Sequence, residues 1–511
     1  MAQRWVSAWH DVRVSEEQHK SDNRGRPVTE EFRAFVATDW APRTSAKPVL
    51  AEVAPYAAER RAAVSAAFPG ERLVIPAGGL KVRNNDCDYI FRPHTAFAHL
   101  TGLGGDREPD AVLVLEPLDD GSHESILYFR PLAGRATEEF FGDSRYGEFW
   151  VGARPGLADI EGELALSARH IDEFTEAVGK DVGSTGIRIV RDADRELTQA
   201  LDALREGSAG STESELLREA DDELAHFLST LRLVKDEWEI GQMREAIKVT
   251  ANGFDAVIAG LPEALERGRG ERWVEGVFGL HARHQGNGVG YDSICAAGDH
   301  ANTLHWIKNT GDITDGDLLL LDAGVEVDSL FTADITRTLP VNGHFTEAQR
   351  KVYDAVFAAQ EAGIAAVKPG AKFSDVHDAA IRVIAEHLHA WGLLPDGIDV
   401  EATLDKEHGQ YHRRWMVHGT SHHLGLDVHD CALARREEYM GADLAPGMIL
   451  TVEPGLYFKA DDLLAPPELR GIGVRIEDDI LVTSDGCENL SADMPRTSTD
   501  VEAWIANIPK D

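Results

Sequence analysis

The segment Leu318-Leu319-Leu320-Leu321-Asp322-Ala323-Gly324 sets four leucines in front of an acid and two small residues. The leucines read as a buried strand. An unpaired carboxylate at the end of such a strand is costly unless a cation accompanies it. Twelve residues later Asp334 stands in Ala333-Asp334-Ile335-Thr336-Arg337-Thr338, and Val327-Asp328-Ser329 between them reads as a turn. The spacing predicts a hairpin with Asp322 and Asp334 on adjacent strands. Two carboxylates held that close repel unless a cation sits between them. The plain alternative is a pair of surface acids on a hairpin, and the apolar run before Asp322 argues against it.

Three further segments repeat this logic. His418-Gly419-Thr420-Ser421-His422-His423-Leu424-Gly425-Leu426-Asp427-Val428-His429 carries four histidines in twelve positions. Neutral imidazole suits divalent transition metals, and a protonated ring can donate to a developing anion. Ile449-Leu450-Thr451-Val452-Glu453-Pro454-Gly455 is again an apolar strand that ends in an acid and a turn. In Gly473-Val474-Arg475-Ile476-Glu477-Asp478-Asp479 the two-residue period of a strand puts Arg475 and Glu477 on one face. Asp322, Asp334, Glu453 and Glu477 together carry −4, which balances two divalent cations while His422 stays neutral. Oxygen-rich ligation with one imidazole favours Mn2+ first, with Co2+, Fe2+ or Zn2+ as alternatives. Two such ions about 3.5–4 Å apart lower the pKa of a bridging water and stabilise an oxyanion.

Around this core, residues 235–511 alternate strand-like runs with helices, and helices are expected over 346–367 and 374–391. That spacing points to two similar halves closing around a sheet. Upstream, residues 49–225 read as an α/β unit. Leu73–Ile75, Ala111–Leu115 and Ile126–Phe129 are its strands, and Tyr56–Phe68 and Ile171–Ala177 are helical. The Gly102-Leu103-Gly104-Gly105 run does not open a helix after a strand, so it reads as a turn rather than a nucleotide loop. Residues 213–260 are mostly helical, and the junction falls near 210–235. Residues 1–48 are a polar arm with one helical stretch around Phe32, Phe35 and Val36. The expected domains are thus 1–48, 49–225 and 226–511.

The bulk numbers exclude several classes. Against 51 Lys and Arg stand 88 Asp and Glu, a formal charge of −37, which repels phosphate backbones and anionic membranes. No stretch approaches 18 apolar residues, and the start has no apolar leader, so a cytoplasmic protein is expected. Cys87, Cys295, Cys431 and Cys487 are widely spaced, which fits reduced, buried thiols rather than a disulfide framework or zinc knuckle.

The order Asp322, Asp334, His422, Glu453, Glu477, each in its local motif, resembles the metal-dependent pita-bread peptidases. That family includes methionine aminopeptidase, prolidase and aminopeptidase P. The presence of residues 49–225 and the form His418-Gly-Thr-Ser-His422 are most similar to aminopeptidase P. The resemblance implies a creatinase-like α/β N-terminal domain followed by an α+β pita-bread catalytic domain. It implies a Xaa-Pro aminopeptidase that releases the first residue of peptides with proline second, through a hydroxide bridging two divalent metals. A prolidase acting on Xaa-Pro dipeptides and a non-catalytic binding module on the same fold are the alternatives. In this resemblance Asp322 holds one metal, Asp334 and Glu477 bridge both, and His422 and Glu453 hold the second. Glu453 also shuttles a proton. His305, His418 and His429 line the substrate pocket, with His429 steadying the oxyanion and His418 near the proline side. Arg475 orients Glu477 or an adjacent acid, and Tyr457 lies near the site. Relatives are often dimers or tetramers, so a homo-oligomer is expected. One departure stands out: Phe97-Ala98-His99 replaces the Phe-Trp-Tyr common in bacterial aminopeptidase P, which puts in doubt the aromatic cap lent by a neighbouring subunit.

Overall fold

The computed structural model describes residues 28–43, 47–85, 87–206 and 211–509. The chain divides into two compact units, Met1–Leu228 and Ser229–Asp511.

The first unit is built on a five-stranded sheet in the order Ser167–His170, His123–Phe129, Val112–Pro117, Arg72–Pro76 and Ile187–Ile189. The three inner strands run antiparallel, and each edge strand pairs in parallel with its neighbour. Val74, Val112, Val114, Ile126 and Tyr128 alternate onto one face and bury against Phe174, Val178, Leu197 and Leu201. Leu73, Ile75, Leu113, Leu115, Leu127 and Phe129, on the opposite face by the two-residue period, are buried as well, so both faces of the sheet are covered. The predicted helix over 56–68 runs Ala54–Ala67, and the one near 171–177 begins as a 3-10 turn before Phe174–Gly179. Gly102 caps the helix Thr95–Thr101 in a left-handed conformation, so the glycine run is a helix stop.

Two features of this unit were not readable beforehand. The described part of the arm packs on its own unit: Arg33 pairs with Glu138 at 2.6 Å, Arg135 donates to the Ala41 carbonyl at 2.7 Å, and Trp40 meets Phe140 and Phe149 edge to face. The rest of the expected arm, residues 1–27, lies outside the described residues. Ala98 sits in the helix Thr95–Thr101, whose every residue is buried. Cys87 is exposed, Cys487 is half-buried, and only Cys295 and Cys431 are the buried thiols expected; all four are free.

The second unit holds two three-stranded antiparallel sheets. One is ordered Ile335–Pro340, Leu318–Ala323, Ile294–Ala297; the other Ile449–Val452, Asp478–Val482, Cys487–Asn489. Each has a pair of long helices: Glu237–Glu266 with Gly270–Gln285, and Glu347–Ala366 with Phe373–Ala390. The second pair matches the expected helices within a residue at each end. Asp236 and Thr346 start their helices with capping boxes, so orphan amides at those ends are satisfied. The expected helical stretch over 213–260 is two helices, Ser211–Leu231 and Glu237–Glu266, broken at Arg232–Asp236. The core between sheets and helices gathers Leu318, Leu320, Val352, Val356, Ile384, Leu456 and Val474.

Candidate metal centre

Each acid reaches the site because its strand ends there. The Leu318–Ala323 and Ile335–Pro340 strands pair antiparallel with Asp322 opposite Thr336 and Ala323 opposite Ile335, so Asp334 lies just beyond the last rung, diagonal to Asp322 and two residues from Thr336 on the same face. The predicted turn is present: the Leu330 amide donates to the Val327 carbonyl at 2.8 Å. Gly324 is required by close approach, because a Cβ there would fall 1.7 Å from the Ala333 carbonyl oxygen.

The histidine loop is laid along the other sheet. The Thr451 amide donates to the His422 carbonyl at 2.9 Å and the Glu453 amide to the Thr420 carbonyl at 2.8 Å. The loop therefore runs beside the Glu453 strand and sets His422 next to Glu453. Glu477 arrives differently from expectation. The strand Ile472–Arg475 stops, a new one starts at Asp478, and Glu477 between them makes a single bridge to Thr336. Its amide donates to the Thr336 carbonyl at 3.1 Å, and the Thr336 hydroxyl donates to its Oε2 at 2.7 Å.

Asp334, His422 and Glu477 bring one potential ligand atom each within 4.8 Å of one another. From His422 Nε2 the distances are 3.4 Å to Asp334 Oδ2, 3.8 Å to Glu453 Oε1 and 4.0 Å to Glu477 Oε1. Asp322 joins this cluster through Tyr291, whose hydroxyl lies 2.8 Å from Asp322 Oδ1 and 2.5 Å from Asp334 Oδ1. Arg475 pairs with Asp322, so the adjacent acid it orients is Asp322.

The substrate-side residues separate into two groups. His418 and Tyr457 form a relay: Arg475 Nη1 donates to the Tyr457 hydroxyl at 3.1 Å, which lies 2.8 Å from His418 Nε2, while His418 Nδ1 is 2.6 Å from the Gly419 carbonyl. A carbonyl only accepts, so Nδ1 carries the proton and Nε2 accepts from Tyr457. His429 meets the His422 ring edge to face at 4.5 Å. His305 is exposed, and its positive form opposes protonation of both His418 and His429.

The electrostatics decide what the cluster lacks. Burial pushes Glu477 well above its usual range, reinforced by Asp334, Glu453 and Asp322. Burial likewise raises Asp322 despite Arg475, and brings Glu453 up to about 7 against the pull of His422 and Arg475. Burial opposes a charged His422, yet Asp334 and Glu453 outweigh it and push the ring up to about 9. Burial and Arg475 drop His418 to about 3, so it is a neutral imidazole. Three buried carboxylates and the half-buried Glu453 thus face one guanidinium, and the imidazole is drawn toward serving as a second cation. An oxygen-rich pocket with surplus negative charge is what divalent cations neutralise, so these residues fit a metal pair.

Sequence reasoning missed Tyr291, Thr336 and Asp479, whose Oδ2 accepts from the Asp334 amide at 3.2 Å. Tyr291 had a local signal: it follows Gly288-Val289-Gly290, and alternating glycines before an aromatic mark close backbone approach. A Cβ on Gly290 would lie 1.8 Å from the Thr332 hydroxyl.

Comparison with known proteins agrees with this architecture. Residues 241–484 match the profile of metallopeptidase family M24, and residues 57–189 match that of the aminopeptidase P N-terminal domain. Over 481 residues the chain is 50% identical to Xaa-Pro aminopeptidase 2 of Streptomyces coelicolor, covering 94% of this chain and 97% of that protein. It is 34% identical over 452 residues to the Xaa-Pro aminopeptidase of Escherichia coli, covering 88% and 97%. Among solved structures, the Pseudomonas aeruginosa aminopeptidase PepP superposes with a TM-score of 0.74 at 30% identity, covering 90% of this chain and 99% of that one. Aminopeptidase P from E. coli with the inhibitor Pro-Leu gives 0.74 at 30%, covering 89% and 98%. Fold and site together define a hydrolase of the M24 metallopeptidase class, an N-terminal α/β domain preceding a pita-bread domain. Within that class the chain belongs to the Xaa-Pro aminopeptidases, the aminopeptidase P family. No helix among the described residues is long and apolar enough to cross a membrane.

Proposed function

We propose that this enzyme releases the N-terminal residue from peptides whose second residue is proline. It would use two divalent metals, Mn2+ first, held by Asp322, Asp334, His422, Glu453 and Glu477. The carrying observation is the charge imbalance: Asp334, His422, Glu453 and Glu477 converge on one point, and Asp322 adjoins it through Tyr291. In this reading Asp334 and Glu477, whose ligand atoms converge with that of His422, would help to hold both metals. The S. coelicolor and E. coli relatives, both named Xaa-Pro aminopeptidases, support the substrate class.

When bound, the metals supply an activated water and charge that steadies the oxyanion. The side chains do the rest. Glu453, whose Oε1 lies 3.8 Å from His422 Nε2, is placed to pass a proton to the leaving proline nitrogen. His429, edge-on to His422, steadies the oxyanion from the solvent side. His418, held neutral in one tautomer by Gly419 and Tyr457, contacts the substrate near the proline. His305 lines the pocket mouth, and Arg475 fixes both Asp322 and Tyr457. We further assign an arm over 1–48, an N-terminal domain over 49–225 and a catalytic domain over 226–511, in a cytoplasmic homo-oligomer acting on peptides rather than nucleic acid or membrane.

The test is direct. Mn2+-loaded protein should release the first amino acid from a Xaa-Pro-Xaa tripeptide and turn over the Xaa-Ala-Xaa analogue far more slowly. No release from the tripeptide under Mn2+, Co2+, Fe2+ or Zn2+ would reject the proposal. Preference for the Xaa-Pro dipeptide would assign a prolidase instead.

A further inference from the structure

Arg337 lies one residue from Thr336 and is fully buried. Along a strand, neighbours point to opposite faces. Thr336 and Thr338 point toward the site, where their hydroxyls donate to Glu477 Oε2 at 2.7 Å and to the Arg475 carbonyl at 2.9 Å. Arg337 points behind it. Its Nη1 donates to the carbonyls of Thr336 at 2.9 Å and of Glu477 at 2.7 Å. Its Nη2 donates to Asp478 Oδ1 at 2.8 Å and the Met494 carbonyl at 3.2 Å, and its Nε donates to the Pro495 carbonyl at 2.8 Å.

The two carbonyls on Nη1 belong to the two residues that bridge where the Ile472–Arg475 strand breaks off. No regular ladder holds Glu477 there. Asp478 in turn is locked: Ser491 donates to Oδ1 at 2.6 Å, and Gln360 and Asn489 each donate to Oδ2 at 3.0 Å. Arg496 adds a contact at 3.3 Å. A planar guanidinium satisfies this fan of acceptors, whereas a lysine ammonium has no fork to do so.

We propose that Arg337, braced by Asp478, is a positioning residue that fixes the reach of the Glu477 carboxylate and thereby sets metal affinity. The inference rests on the metal-pair reading above. It acts through Glu477 and involves no contact with substrate.

The test is a calorimetric Mn2+ titration of metal-free full-length protein. Arg337→Lys should bind about 10–100-fold more weakly, the usual cost of losing a residue that orients a ligand. Its activity at low Mn2+ should fall and return with excess Mn2+, with KM for the tripeptide unchanged. In a Glu477→Gln background Arg337→Lys should cost no further affinity. Unchanged affinity in Arg337→Lys, when the wild type binds, overturns the proposal alone. An equal loss in the Glu477→Gln background also overturns it, because the residue would then act on the whole fold. No binding by the wild type overturns both this proposal and the metal reading. Should Arg337→Lys not fold, Ser491→Ala, which removes one bond to Asp478, should weaken binding about two- to fivefold; unchanged affinity there overturns the proposal equally.

Discussion

Two buried acidic clusters in this protein have opposite electrostatic situations. In the first unit, Asp221 and Asp202 meet Arg191 and Arg205. Arg205 spans both oxygens of Asp221 at 2.9 Å, and Arg191 reaches Asp221 at 2.8 Å and Asp202 at 2.6 Å. Two acids face two guanidinium groups, and the Ile189 amide adds a donor at 2.9 Å. In the second unit, three buried carboxylates and the half-buried Glu453 face Arg475 and a histidine. Both clusters set acids against arginine. The difference is charge closure: the first cluster is complete and holds scaffold together, and the second is left open for cations.

The sharpest way to break this contrast is to neutralise one acid in each. Asp334→Asn should lower activity about a thousandfold, several kcal/mol of lost metal-dependent transition-state stabilisation. Yet it should leave the melting temperature of the metal-free protein nearly unchanged, because relief of the repulsion with Glu477 offsets the lost attraction to His422. A marked drop in the metal-free melting temperature would show that Asp334 is scaffold. Asp221→Asn should do the reverse. It leaves the buried Arg205 without its main acid partner and removes one from the half-buried Arg191, and should cost about 3 kcal/mol of stability in urea unfolding, with turnover per folded molecule kept.

Acidity sharpens the comparison further. In the metal-free fold Glu453 is raised to about 7 and His422 to about 9, so the folded chain holds protons that the unfolded chain releases earlier. Stability of the metal-free protein should therefore fall as pH rises from about 4.5 toward 9. Melting scans at pH 5 and pH 8 should show a clear drop for chelator-treated protein and a smaller one for Mn2+-loaded protein. Parallel drops would remove the case for an open cluster. The smallest expected effect belongs to Tyr457→Phe. Losing the hydroxyl between Arg475 and His418 should slow tripeptide turnover about tenfold, with metal affinity unchanged by titration.

The legible part of the molecule was local. Strand-end acids and the Asp322–Asp334 hairpin follow from short-range patterning, and so do the helices over 347–366 and 373–390. The five-ligand order needed the family pattern to join segments more than a hundred residues apart. The break between Arg475 and Asp478 was hidden because a continuous two-residue period looks the same with or without an interruption. Tyr291 reaches acids 31 and 43 residues away, and Thr336 reaches Glu477 across 141 residues. Such contacts are set by how two sheets meet, which no periodicity encodes. The balanced Arg191, Arg205, Asp202 and Asp221 cluster was equally silent, since in a chain of 88 acids each member looks like surface charge.

The Glu477 amide, held 3.1 Å from the Thr336 carbonyl at the interruption, has a kinetic consequence. Amides inside a ladder exchange with solvent deuterium only when the whole ladder opens, but a lone rung can open by itself. Cations gripping the carboxylate on the same residue would close that rung. Its exchange lifetime is therefore a backbone clock for metal occupancy, readable without substrate.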